Sequence, residues 1–370
     1  MNFQNFYGHA ATVRNLRKTL GLGRFPHAVI LHGPPGAGKY SLAQMLARCM
    51  NCEIQALSDG LPDFCGKCSN CVRIAQADDL DARFAEAVEA RENMRDADKK
   101  DTRILIQTHP DVMIVPPDPP QMLIKVGQVR RVISTVPYHP ESGRRKIFIF
   151  TQSAFMKEAV NSLLKVLEEP PPYATFFLLT SNPSELPVTI RSRCVNFPLA
   201  PLPPAEIEEF LARQHPHWTA QQRALVSRLS GGAIGRALSF DLENYVTARQ
   251  DALILLQSAI HNSSQGRAAG HSDLFRLTEG YRGGADGRSK TEHLLRTLYS
   301  LLEDIMLMQS GTPEMTRNTD IQAALGKMAG QTDFSWIVAA AAGLSQVERG
   351  MRRNLLRSLS LDAFATSLER

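Results

Sequence analysis

Apolar and polar residues follow two different patterns along this chain. Up to about residue 200, short apolar runs of strand length are separated by longer segments with helical spacing, such as Lys157–Leu167. That alternation predicts an α/β domain with a mostly parallel sheet. The strand candidates are Ala28–Leu31, Val112–Val115, Lys146–Phe150, Phe176–Thr180 and Val195–Phe197.

Beyond the proline-rich segment Pro198–Pro204, the pattern is helical to the end of the chain. Two stretches rich in Gly, Ser and Arg, Asn262–Gly270 and Gly280–Ser289, predict long loops between helices. Pro116–Pro120 predicts another loop, because proline cannot lie inside helices or central strands. Helical spacing is kept by Leu294, Leu295, Leu298, Leu301, Leu302 and Ile305, and by Leu355, Leu356, Leu359 and Ala363.

One segment of the first part, Asp78–Arg103, is rich in charges of both signs. Leu80, Phe84 and Val88 recur in it at a spacing of four, which predicts an exposed amphipathic helix with a narrow apolar stripe. Charge-rich segments of this kind are usually solvated. An insertion helix without chemistry of its own is therefore the interpretation that the pattern favours.

Length and composition narrow the class of protein. A chain of 370 residues predicts two or three domains. No apolar stretch approaches the roughly 20 residues that span a bilayer, and the N-terminal sequence lacks the pattern of a signal peptide. We therefore expect a cytoplasmic protein without membrane contact. The net charge of +5 is compatible with nucleic acid nearby but does not establish it.

A phosphate-binding loop follows the first strand candidate and precedes a helical pattern, which is the context that a Walker A loop requires. Its glycines permit a tight turn, its N–H groups point at phosphate oxygens, and its lysine reaches the β and γ phosphates. The loop consists of Gly33, Pro34, Pro35, Gly36, Ala37, Gly38 and Lys39.

The magnesium half of this site is missing from the sequence. Tyr40 stands where a Ser or Thr hydroxyl binds the metal, and Thr151 and Gln152 follow the second strand where acidic residues are expected. Ser41 has a hydroxyl, but one residue further along a helix it points about 100° away. We therefore expect ATP or ADP binding without hydrolysis.

A cysteine cluster predicts a structural zinc site. Cys65, Cys68 and Cys71 have C-x₂-C-x₂-C spacing, and Cys52 is the fourth ligand candidate, with Cys49 as a competitor. Four thiolates suit tetrahedral Zn²⁺ and close its coordination sphere. The spacing also approaches iron–sulfur patterns, but no proline follows the last cysteine, so zinc is favoured. Structural zinc contributes on the order of 10 kcal/mol to the folding of such a loop.

Two segments further along have alternative interpretations. Ser181 and Asn182 follow a central strand candidate, and they predict either a plain turn or a sensor of the γ-phosphate. Arg191 and Arg193 lie in the next turn. Composition alone favours surface salt bridges for both, although an arginine is also suited to act on a neighbouring subunit's nucleotide.

These motifs, in this order, resemble the bacterial clamp-loader subunits of the AAA+ superfamily. The resemblance is carried by the phosphate loop, the cysteines, Asn161–Pro171, Ser192-Arg193-Cys194 and the sensor 2-like segment Gly231–Leu238. It implies an AAA+ α/β nucleotide-binding domain over residues 1–200 with a zinc-binding insertion at about 49–73. A small helical lid over residues 201–243 and an all-α collar domain over 244–370 would follow.

The resemblance also implies a role. In this family Arg193 would reach the ATP of an adjacent motor subunit, and Arg236 would either bind nucleotide in this chain's own site or only pack there. The partners would be gamma/tau and delta subunits of DNA polymerase III in a hetero-pentamer that opens a sliding clamp and loads it on primer–template DNA. Because the family's motor subunits keep Thr and Asp-Glu where this chain has Tyr40 and Thr151-Gln152, a non-hydrolysing subunit is implied.

Two other functions remain open. The chain is alternatively an active AAA+ ATPase motor, in which Ser41 or a distant carboxylate holds magnesium. It is alternatively a zinc-dependent DNA-binding module with a vestigial nucleotide fold. Lys67 and Arg73 give the second alternative weak support, because Asp59 and Asp63 lie in the same loop.

Overall fold

The computed structural model describes residues 2–265, 272–282, 284–352 and 355–367. The chain forms two compact units. One contains Met1–Phe210 and Gly231–Leu238, and the other contains Leu211–Ser230 and Ser239–Arg370. The three-part division into α/β domain, lid and collar stays a prediction. In the described residues, no helix combines the length and apolar character that crossing a membrane requires.

The first unit is a six-stranded sheet with helices on both faces and short inserted elements. Its elements in chain order are α1 (Ala10–Gly21), β1 (Ala28–His32), α2 (Lys39–Asn51), β2 (Leu57–Ser58), β3 (Leu61–Pro62), α3 (Ser69–Ala75), α4 (Leu80–Glu92), α5 (Asp96–Asp101), β4 (Ile106–His109), β5 (Val112–Val115), α6 (Val126–Thr135), β6 (Lys146–Phe150), α7 (Lys157–Glu168), β7 (Ala174–Thr180), α8 (Val188–Arg191) and β8 (Val195–Pro198). Helix α9 (Pro204–Gln214) runs across the boundary between the units, and α11 (Ile234–Leu238) belongs to the first.

The sheet has the strand order β4-β5-β6-β7-β1-β8. All neighbouring pairs are parallel except β4 with β5. Each predicted strand is confirmed, two of them at the bounds given by the sequence. Parallel strands bring their carboxyl ends to one edge, so the segments that follow β1, β6 and β7 meet there.

Alternate side chains of the central strands enter two separate cores. Val29 and Leu31 pack with α2 on one face, whereas Ile30 and Phe176 pack with Leu163 of α7 on the other. These side chains are almost completely buried, and each contributes about 1.5–3 kcal/mol by leaving water. Two buried faces explain why the strands have continuous apolar runs instead of alternation.

The charged segment Asp78–Arg103 differs from its prediction as one solvated helix. It forms two helices, α4 and α5, and Leu80 and Phe84 pack against the core of the first unit. Arg91 is buried and donates to the buried Asp118 at 2.6 Å. The apolar stripe and this ion pair therefore attach the segment to the domain.

The second unit is helical, as its pattern predicts. Its longer helices are α10 (Ala220–Leu229), α12 (Leu242–Gln265), α13 (Ser272–Glu279), α14 (Gly284–Gln309), α15 (Gln322–Gln331), α16 (Phe334–Arg352) and α17 (Arg357–Ser367). The apolar positions from Leu294 to Ile305 lie on α14 and are buried. Leu359 and Ala363 lie on α17 as predicted but are exposed, and Leu355 and Leu356 precede the helix and are exposed as well.

Both predicted loops of this unit were too long. Residues 262–265 of the first belong to α12, and residues 284–289 of the second belong to α14. Residues 266–270 lie outside the described part. Glycine and serine weaken a helix by only about 0.5–1 kcal/mol each, which the packing of neighbouring turns offsets.

Candidate functional site

A cleft of about 580 Å³ opens at the carboxyl edge of the sheet. The phosphate loop and the start of α2 form one side of it. The segments that follow β6 and β7 form the other. Its lining consists of Pro35, Gly36, Gly38, Lys39, Tyr40, Ser41, Leu80, Thr151, Gln152, Ser153, Ala154, Leu179, Thr180, Ser181, Glu185 and Gly235.

The phosphate loop has a backbone that glycine alone adopts without strain. Gly33, Gly36 and Gly38 have φ angles of 152°, 82° and 87°. A Cβ on Gly33 would lie 2.0 Å from the backbone oxygen of Leu199. Because α2 begins at Lys39, the unpaired N–H groups of its first turn lie beside the cleft. The arrangement is that of a site for an anion such as phosphate.

Lys39 lies against the loop that it follows. Its Nζ donates to the backbone oxygens of Gly33 at 2.6 Å and Pro34 at 2.8 Å. Burial lowers the pKa of Lys39 from its ordinary value. The ammonium group is thus held inside the turn of the phosphate loop, where a bound phosphate would meet it.

Tyr40 makes its polar contact away from the phosphate loop. Its hydroxyl donates to the backbone oxygen of Ala77 at 2.5 Å and accepts from Gln44 Nε2 at 2.8 Å. Burial, the largest influence, raises the pKa of Tyr40 well above its usual range. Together with the ion pair between Arg48 and Asp78, this contact fastens α2 to the segment that follows the cysteines.

The opposite side of the cleft is polar but contains no acid at the end of β6. Thr151, Gln152 and Ser153 line the cleft there, and Thr180 and Ser181 line it at the end of β7. Hydroxyl and amide groups bind magnesium more weakly than carboxylates do. Thr151 and Gln152 thus line the same cleft as the phosphate loop, and they give it no carboxylate for magnesium.

The four predicted zinc ligands come together. The sulfur atoms of Cys52, Cys65, Cys68 and Cys71 all lie within 4.8 Å of one another. Cys52 follows the last residue of α2, Cys68 precedes α3, and Cys71 lies within α3. Tetrahedral Zn–S bonds of about 2.3 Å separate the sulfurs by about 3.8 Å, so this donor set fits the metal. Within the described part of the chain, His, Cys, Asp and Glu side chains form no second group of this kind.

Cys49 is not a member of this group. It is buried in the core of the first unit, and burial, as the main cause, raises its pKa to about 12. Cys65 differs: burial raises its pKa, but N–H donors of Lys67 and Cys68 and the thiols of Cys52 and Cys68 bring it down to about 7. The structure thus resolves the choice between Cys49 and Cys52 in favour of Cys52.

Arg193 lies at the surface, just after α8. Its Nη2 pairs with Glu168 Oε1 at 2.6 Å, and its Nη1 donates to the backbone oxygen of Thr189 at 2.9 Å. One third of the side chain is exposed to solvent. These two contacts orient the guanidinium at the end of α7.

Arg236 lies next to the phosphate loop although it is distant in the sequence. A Cβ on Gly36 would be 2.8 Å from Arg236 Cγ, and Gly235 N donates to Gly36 O at 2.8 Å. Gly235 and Arg236 belong to the segment Gly231–Leu238, which forms part of the first unit. The sensor 2-like segment is thus joined to the loop by backbone contact.

The matching family model is "DNA polymerase III, delta subunit", and it covers residues 8–203. The chain belongs to the DNA polymerase III delta subunit family. The matched range contains the phosphate loop, the cysteine group and Arg193, whereas Arg236 lies beyond it.

Curated relatives are subunits of the same enzyme. The delta' subunit of Escherichia coli is 27% identical over 343 residues, which are 90% of this chain and 87% of that protein. The delta' subunit of Pseudomonas aeruginosa is 31% identical over 58% of this chain and 55% of that protein. The tau subunit of Salmonella typhimurium is 31% identical over 64% of this chain, which spans 32% of that longer protein.

The fold also resembles solved structures at a distance. A gamma subunit-related protein of Thermotoga maritima matches 96% of this chain and 98% of its own with a TM-score of 0.39 and 14% identity.

Several residues of the cleft were not predicted from the sequence, among them Leu80 and Glu185. Leu80, the first residue of α4, brings the charged insertion into the lining, and Glu185 contributes a carboxylate from the turn after β7. An acidic residue shortly after a central strand was the available signal for Glu185. No signal in the sequence places Leu80 there, since its position depends on the path of the chain after the cysteines.

Proposed function

We propose that this chain is a delta-prime-type subunit of the bacterial DNA polymerase III clamp loader that binds ATP or ADP without hydrolysing it. It would act in the cytoplasm in a hetero-pentamer with gamma/tau and delta subunits, which loads a sliding clamp on primed DNA. Family membership and the similarity to a delta' subunit over 90% of the chain support the proposal.

One observation carries the non-hydrolysing part of this proposal. In an ATPase of this kind, the residue after the loop lysine is Ser or Thr, and its hydroxyl binds magnesium. Here that residue is Tyr40, and its hydroxyl donates to Ala77 O instead. The end of β6 adds a second loss, because Thr151 and Gln152 provide neither a metal-binding acid nor a base for water. The phosphate cradle from Gly33 to Lys39 remains complete, which supports binding without turnover.

The proposed catalytic contribution is made in a neighbour's site. We propose that Arg193 acts as an arginine finger on the ATP of an adjacent motor subunit. A planar guanidinium held by Glu168 is already oriented, so little side-chain entropy is lost when a phosphate becomes its partner. Arginine fingers accelerate phosphoryl transfer by about 10³–10⁵.

The cysteine group is proposed to hold one structural Zn²⁺. The ligands span the end of α2, the hairpin of β2 and β3, and α3. Since the two strands of that hairpin are each two residues long, its backbone offers few hydrogen bonds of its own. Four thiolates leave no open position, so the metal would stabilise this region and take no part in catalysis.

A second candidate is an active motor subunit. The 31% identity to tau subunits favours it, because that value equals the highest identity to a delta' subunit among the relatives described above. In this case Ser41 or a carboxylate elsewhere would hold magnesium. The position of Tyr40 favours the first candidate.

ATP turnover by the purified chain separates the two candidates. We expect no turnover above background, and Lys39→Ala provides the matched control because it removes the ammonium from the loop. Turnover that Lys39→Ala abolishes would identify a motor subunit and contradict the proposal.

The role of Arg193 is tested in the assembled loader. Arg193→Ala is expected to leave assembly intact and to cut DNA-stimulated ATP turnover by at least about 10³-fold at the adjacent site. Arg191→Ala, in the same turn, is the control and should retain turnover. Equal turnover in the Arg193→Ala and wild-type loaders would refute the trans role.

A further inference from the structure

Glu185 gives the nucleotide cleft a carboxylate that the proposed function does not use. Of the described residues that line the cleft, Glu185 alone carries a carboxylate. It ends a short 3-10 turn, Pro183–Glu185, which Asn182 caps by accepting from Ser184 N at 2.9 Å. The backbone that carries this carboxylate is therefore fixed immediately after β7.

The side chain of Glu185 is anchored across two strand ends. Its Oε2 accepts from Ser153 Oγ at 2.5 Å and lies 3.4 Å from Thr180 Oγ1. Thr180 ends β7 and its Oγ1 lies 3.0 Å from Ser153 Oγ, in the segment after β6. These contacts all use Oε2, and among the described residues Oε1 has no hydrogen-bond partner.

A carboxylate opposite a phosphate loop has two different effects on a nucleotide. It repels phosphates that carry no cation, because like charges a few ångströms apart destabilise each other. It attracts the same phosphates when a divalent cation lies between them. Mg²⁺ usually keeps several waters and takes one or two carboxylates in addition to the phosphates, so one carboxylate is sufficient.

We propose that Glu185, positioned by Ser153 and Thr180, binds the Mg²⁺ of a metal–nucleotide complex in this cleft. The inference rests on the nucleotide binding of the proposed function and deepens it, since it names the ligand as the metal complex. It is compatible with the absence of turnover, because Thr151 and Gln152 still provide no carboxylate to orient a water for attack.

The test is the affinity of the full-length chain for ADP, with saturating Mg²⁺ and without added divalent cation. A chelator is avoided because it would also remove metal from the cysteine group. Wild-type protein is expected to bind ADP about tenfold more tightly with Mg²⁺, within the usual range of coupling between two ligands. Calorimetry or a fluorescent ADP analogue measures both affinities.

Glu185→Gln is expected to abolish this Mg²⁺ effect. It should also bind ADP without the metal at least as tightly as wild type, because the repulsion is gone. Ser153→Ala keeps the charge and loosens its anchor, so it should retain weak metal-free binding and show a smaller Mg²⁺ effect. Glu158→Gln, which neutralises an exposed acid of α7 outside the cleft lining, is the matched control.

Each outcome decides the inference. A Mg²⁺ effect in Glu185→Gln equal to that of wild type overturns it. So does wild-type binding of ADP that is indifferent to Mg²⁺, although the proposed function would survive that result. No binding of ADP under either condition overturns both the inference and the nucleotide-binding part of the proposed function.

Discussion

Replacing Asp118 with alanine is expected to destabilise the first unit severely. The Asp118 side chain is fully buried, and its Oδ1 accepts from Arg91 Nη1 at 2.6 Å and Lys125 Nζ at 3.2 Å. Its Oδ2 accepts from the backbone N–H of Ile104 at 3.4 Å. One carboxylate thus joins the end of α4 to the start of α6 and to the irregular segment that leads into β4.

The expected magnitude follows from burial. The Arg91 side chain is only 10% exposed, so removal of Asp118 leaves a guanidinium that water cannot fully solvate. Removing one partner of a buried ion pair costs about 3–5 kcal/mol. At about 2–4 °C per kcal/mol for a unit of this size, Tm should fall by about 6–20 °C.

Urea and thermal unfolding followed by circular dichroism measure this loss. The control is Glu86→Ala, which breaks the exposed pair between Arg83 and Glu86 and should cost less than about 0.5 kcal/mol. The double variant Arg91→Met with Asp118→Leu should recover much of the stability, because neither charge is then buried alone. A loss in Asp118→Ala no larger than that in Glu86→Ala would refute the reasoning.

Three further outcomes are expected. Gly33→Ala should cost at least about 2 kcal/mol and abolish nucleotide binding, since its Cβ would lie 2.0 Å from Leu199 O; unchanged calorimetric ADP affinity would contradict the loop geometry. Burial lowers the pKa of His109 below 6.5, so the unfolded chain takes up a proton at a higher pH than the folded chain does. The free energy of unfolding therefore falls as the pH drops below 6.5. The urea midpoint of His109→Gln should change less with pH than that of the wild type. Elemental analysis is expected to return about one zinc per chain, which Cys68→Ser should lose and Cys49→Ser should keep; equal zinc in both would reject the site.

The sheet could be predicted from the sequence because its strands are buried on both faces. Runs such as Phe176–Thr180 are then continuously apolar and end where polar residues begin. The loops of the helical unit were harder to predict, because Gly284 and Gly287 are tolerated in α14 once neighbouring turns pack. Local propensity is a weak signal when tertiary contacts outweigh it.

The candidate site likewise has parts that the sequence predicts and parts that it does not. The spacing of the phosphate loop and of the cysteines is local, so the sequence alone is enough to name both sets of residues. The choice of Cys52 over Cys49 depended on where α2 ends, and the place of Leu80 and Glu185 in the cleft depended on chain paths across the sheet. Contacts made across such distances leave no periodic pattern in a sequence.

Helix α2 connects two sites that belong to different motifs of the sequence. Gly38 precedes its first residue and Cys52 follows its last, and ten of its thirteen residues are buried. At 1.5 Å per residue this helix is a rod of about 20 Å. A tilt of about 5° at the cysteine end displaces the other end by about 1.7 Å, enough to misalign a phosphate contact. Helix α2 therefore couples the orientation of the cysteine group to the position of the phosphate loop within the first unit.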